Sequence, residues 1–147
     1  VGGWNEELPV WNDLELGVRL LLADPSDTVI PGPPMVEVIP RAESITGVRW
    51  ADRWRERADS LDAIDRAIRD AYPRDENSAS RLAFAVDARR VMLAARIHAE
   101  GEPEAAASLR AEAASRHRTP RRMLLRLIYA VQRHLGKGGA AIASVFS

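Results

Sequence analysis

Apolar residues fall three and four positions apart through most of this chain, and Pro, Gly, Asn and Asp divide that pattern into about five helical segments. The first helix is expected to start near Asn12. Asn12 suits an N-cap, Glu15 stands where a capping box places its acid, and Leu14, Val18, Leu21 and Leu22 follow at helical spacing. Asp24-Pro25 ends that run, because a proline disfavours helix at the residue before it. The second helix is expected over Val48–Tyr72, with Trp50, Trp54, Leu61, Ile64, Ile68, Ala71 and Tyr72 on one face and Pro73 as its stop. Arg57 falls on that apolar face and needs a partner or a route to solvent.

A third helix, capped at Asn77 or Ser78 and closed at Gly101, carries two apolar stripes. Leu82, Val86, Leu93 and Ile97 form one; Phe84, Ala88, Val91 and Ala95 form the other. Apolar residues on both sides predict a central position. Glu102-Pro103 then opens a short alanine-rich helix whose only large apolar residue is Leu109, so it is expected to pack by close backbone approach. The last helix is expected from Thr119-Pro120 to Leu135-Gly136. Its apolar face is read as Met123, Leu124, Leu127, Ile128, Val131 and Leu135, with Arg122, Arg126, Arg133 and Lys137 in a stripe opposite.

Between the first and second helices, residues 24–46 hold Pro25, Pro31, Pro33, Pro34 and Pro40, so no long helix forms there. Alternation at Val36 and Val38 suggests a short extended piece, paired in a β-hairpin with residues 28–30. The expected architecture is all-α: one domain over 1–147, a bundle of about five helices with a proline-rich irregular arm at 24–46. The chain starts at Val1 and ends in the apolar run Ala140–Phe146, which suggests a fragment of something longer.

Composition narrows the chemistry. With 46% apolar and 29% charged residues the chain is a folded domain, not a disordered one. It has no cysteine, so disulfides, thiolate metal sites and cysteine nucleophiles are excluded, and the cytoplasm is the expected location. Of the 21 basic residues only Lys137 is lysine, a usage that points to a GC-rich, bacterial genome. Net charge is zero but polarised: residues 1–50 carry a balance of −5 and residues 101–147 one of +5.

No catalytic motif emerges. His98, His117 and His134 lack ligand spacing, and His134 reads as a hydrogen-bonded core histidine. The glycine-rich stretch at 136–139 follows a helix instead of joining a strand to one, so it is no phosphate loop. The reading leans away from an enzyme while leaving a motif-free active site open, and no cofactor or metal is expected.

Two binding surfaces remain. Trp4 and Trp11, in or beside a flexible proline-containing segment, are candidates for contact with a protein partner or a second copy, since Trp is favoured at binding hot spots. Arg116, Arg118, Arg121, Arg122, Arg126 and Arg133 form the alternative, an anion- or nucleic-acid-binding face. Sequence-specific readout fits poorly there, because apolar Met-Leu-Leu follows where base-reading residues belong. An anionic membrane surface ranks last. The expectation is a non-catalytic helical binding or assembly module acting through protein–protein association.

Overall fold

The computed structural model describes residues 1–23 and 49–136. The described residues form five α-helices: α1 (Asn12–Ala23), α2 (Trp54–Ala71), α3 (Glu76–Ala99), α4 (Pro103–Ser115) and α5 (Thr119–Leu135), with a 3-10 turn at Trp50–Arg53 leading into α2. No strand occurs among them. The proline-rich arm with its expected hairpin, and the apolar run at 140–146, lie outside the described residues.

Helix boundaries follow the punctuation with three corrections. The α1 N-cap is Trp11, not Asn12. The Trp11 carbonyl accepts the first helical bond, from the Glu15 N–H at 3.0 Å, with Trp11 at φ 54°. Glu15 does not reach back to a cap. It is buried and pairs with Arg19 at 2.6 and 2.9 Å, and Arg19 in turn donates to the Gly3 carbonyl at 2.8 Å. A carboxylate with a guanidinium one turn away gains two charge-assisted bonds in place of a single capping bond. Secondly, the residues before Trp54 wind as a 3-10 turn, so the α-helix proper is shorter than Val48–Tyr72. Thirdly, α3 is capped by Asp75, whose Oδ1 accepts the Ser78 N–H at 3.0 Å, and not by Asn77 or Ser78.

The central place expected for the third helix is observed. α3 packs against α2, α4, α5 and the 3-10 turn, and its buried residues include Phe84, Ala88, Val91, Leu93, Ala94 and Ile97. α4 reaches it through Ala106, Leu109 and Ala113, all buried; alanines let the two backbones approach closely. α1 is packed on α2 alone among the helices.

The last helix is rotated from its expected orientation. Its buried residues are Leu125, Ile128 and Tyr129, while Met123 is 63% exposed, Leu127 51% and Leu135 67%. At 3.6 residues per turn this moves the core-facing side by roughly a third of a turn. The reason lies in Tyr129, which stands beside the arginine stripe, and in Leu125, which the expected apolar face left out. Tyr129 is held inside by a 2.9 Å bond between its hydroxyl and His98 Nδ1 and by the Arg110 guanidinium stacked 3.9 Å from its ring. Arginine covers an aromatic well, so the stripe beside Tyr129 borders the core instead of opposing it. His134, expected in the core, is consequently exposed.

Candidate functional site

Three places in the fold concentrate the polar and aromatic chemistry.

The first is a buried charge cluster. Asp87 and Arg90 sit one turn apart on α3, in its apolar interior, and are 1% and 0% exposed. Arg90 bridges Asp62 of α2 at 2.8 Å, Asp87 at 3.3 Å and Glu112 of α4 at 3.3 Å. His117, in the turn between α4 and α5, places Nε2 at 2.9 Å from Asp87 Oδ2 and its ring edge-on to Phe84. Arg116 reaches Glu112 at 2.7 Å and both Asp65 and Asp87 at 3.5 Å. Burial pushes the Asp87 carboxyl above its ordinary value, against the opposing pull of Arg116, Arg90 and His117. The cluster ties four segments of chain together at one point, and a histidine–carboxylate pair of this geometry orients an imidazole.

The second surface is aromatic. Trp11 packs edge-on against Trp50 with ring centroids 5.6 Å apart. Arg57, predicted to need a partner, finds one here: it is 3% exposed, with its guanidinium 4.8 Å from the Trp50 ring and 5.9 Å from that of Trp11. Its Nη1 donates to the Trp50 carbonyl at 3.3 Å, while its Nε is buried with no hydrogen-bond partner. Burial and the neighbouring Arg53 pull this guanidinium below the usual arginine value, with Glu100 and Glu56 opposing. Trp11, together with Trp50, Arg89 and Arg96, lines a cleft of about 360 Å³. Trp4 does not join this group and is 58% exposed.

The third surface is the arginine face, and the structure divides it. Arg116 belongs to the buried cluster. Arg121 turns toward α3, donating to the Ser80 hydroxyl at 2.6 Å and carbonyl at 3.1 Å, with its guanidinium 5.5 Å from the Phe84 ring. Arg118 and Arg133 are exposed at opposite ends of α5. Arg122 and Arg126, joined by Arg110 of α4, line a groove of about 270 Å³ between α4 and α5.

Sequence reasoning missed Asp87, Arg90, His117 and Arg110. The signal for the first two was present: an acid and a base three residues apart inside a helix that is apolar on two sides. Arg110 gave no such signal, since its position depends on which face of α5 carries Tyr129.

Among the described residues no group of three or more His, Asp and Glu is placed to hold a metal ion, and no helix is long and apolar enough to cross a membrane. The remaining apolar feature is a groove of about 410 Å³ where α1, α2 and α3 meet, lined by Leu14, Val18, Leu21, Leu61, Ile64 and Leu82 among others. In comparison with known proteins no family model matches the chain, and no curated protein or solved structure matches it either.

Proposed function

We propose that this chain is a non-catalytic helical bundle that serves as a binding or assembly module, joining a protein partner or a second copy through apolar helix surfaces. The observation that carries this reading is the outer side of α5, where Met123, Leu127 and Leu135 are all more than half exposed on a helix whose inner side is already core. Single exposed apolar residues are ordinary, but Met123 and Leu127 lie one turn apart on the same side of α5, which supports a contact surface there. The groove beneath α1, with Leu20 and Leu21 also exposed, offers a second apolar surface suited to helix-in-groove contact. Trp4 adds an exposed indole at the N-terminal side.

The alternative, a nucleic-acid face running from Arg116 to Arg133, has less support. Three of its six arginines, Arg116, Arg121 and Arg122, make bonds within the fold.

Sedimentation and pull-down measurements on the full chain test the association reading, with the double variant Met123→Asp/Leu127→Asp as comparison. Both side chains point away from the core, so the variant should keep its melting temperature and lose the complex. A chain that stays monomeric at high concentration, and retains nothing that the double variant fails to retain, overturns it.

A further inference from the structure

The groove between α4 and α5 gathers three arginines and no acid. Seven arginines of the described residues, Arg19, Arg49, Arg53, Arg69, Arg90, Arg96 and Arg116, each form an ion pair with a carboxylate. Arg110, Arg122 and Arg126 form none, and no acid lines the groove they share. In a chain with 21 bases and 21 acids, three cations around one concave surface are a marked local excess. Such a concave surface focuses positive potential where an anion can enter.

Two of the three guanidiniums are held in place. Arg110 is stacked on the Tyr129 ring at 3.9 Å, and Tyr129 is itself fixed by burial and by its bond to His98. Arg122 donates its Nε to the His117 carbonyl, which fixes the stem and leaves the two terminal nitrogens for other acceptors. Arg126 lies one turn further along the same side of α5. The α4 wall is Ala107, Ala111 and Ala114, so no long side chain blocks approach from that side.

We infer that this groove binds a small phosphate-bearing ligand through Arg110, Arg122 and Arg126. Guanidinium forks match phosphate oxygens in two-pronged hydrogen bonds, and holding them beforehand reduces the ordering cost of binding. At about 270 Å³ the groove admits a phosphate or diphosphate group but is smaller than usual sites for drug-sized molecules. The groove shares no residue with the exposed Met123, Leu127 and Leu135 of α5, and binding there does not require the chain to associate.

The test is an amide-detected NMR titration and a calorimetric titration of the full chain with inorganic pyrophosphate. Saturable binding is expected, with shifts concentrated at residues 107–114 and 122–126. Arg126→Gln and Arg126→Glu should each weaken it at least tenfold, whereas Arg133→Glu, on the same helix but outside the groove, should change it less than twofold. Absence of saturation overturns the proposal, as does equal weakening by Arg126→Glu and Arg133→Glu, which would reveal only a general field. A single-stranded oligonucleotide series provides the remaining arm. Affinity that exceeds that of pyrophosphate and rises with strand length would reassign the groove to a nucleic-acid backbone and overturn the small-ligand assignment.

Discussion

Arg90 and Arg126 carry the same side chain into opposite surroundings, on either side of the α4 contact. Arg90 has no exposure and three carboxylates within 3.3 Å; Arg126 is exposed and lines a groove without a single acid. In the first place the protein supplies every counter-charge, and the guanidinium is part of the architecture. In the second it supplies none, so the charge is available to something that is not part of the chain. Satisfied ions hold helices together, and unsatisfied ions of one sign on a concave surface attract ligands. Counting arginines in the sequence cannot separate the two uses.

Four measurements would sharpen or break that contrast. Arg90→Ala should have the largest effect, destabilising the fold by about 3–5 kcal/mol in chemical denaturation, because it removes a fully buried side chain that bridges α2, α3 and α4 and takes one counter-charge from the buried Asp87. A loss below about 1 kcal/mol would show that the cluster is ornamental to stability. Next comes the pair Ile128→Ala and Leu127→Ala on α5. The first should cost about 2–5 kcal/mol by opening a cavity, and the second should stay within about 0.5 kcal/mol. Equal losses would place Leu127 in the core and remove the exposed patch.

A smaller, local effect is expected at the start of α3. Hydrogen bonds from Ser78, first its side chain and then its backbone N–H, hold the Asp75 carboxyl below its ordinary value. A depressed carboxylate stabilises the fold above the ordinary carboxylate range, and that contribution is lost as pH falls through the lowered value. Backbone chemical shifts of Glu76–Ala79 should therefore move toward coil on acidification, while Asp75→Ala should show the frayed shifts already at neutral pH. Asp87 has the opposite sign. Its raised carboxyl takes up a proton in the folded state first, so its own contribution favours folding as pH falls from the raised value. The smallest effect is Arg126→Ala, expected to leave stability within about 0.5 kcal/mol, since nothing in the fold relies on its charge.

How much of this was legible beforehand depends on the kind of signal. Proline and glycine punctuation located the helix ends at Pro73, Gly101, Pro103 and Gly136, because those residues constrain the backbone locally. The central place of α3 was readable from its two apolar stripes. The orientation of α5 was not, since its apolar residues cover more than half of the helix and tertiary packing selects among them. Tyr129, with its ring under Arg110 and its hydroxyl on His98, tipped that selection. The arginine face was likewise legible as a stripe but not as two populations, because pairing partners for Arg116 and Arg121 come from α2 and α3. Trp11 was marked as a binding residue, and the structure packs it on Trp50, where it lines a cleft.

The attachment of α1 to α2 alone has a consequence for how the molecule comes apart. A helix whose backbone is close to one neighbour alone gives up fewer contacts on detaching than α3, which would break contacts to three helices. The free energy of opening is therefore graded along the chain, shallow over residues 12–23 and steep over 84–97. Amide hydrogen exchange is therefore expected to be fastest over residues 12–23, with opening from that side exposing Leu61, Ile64 and Ile68 in the α1 groove while the charge cluster stays intact.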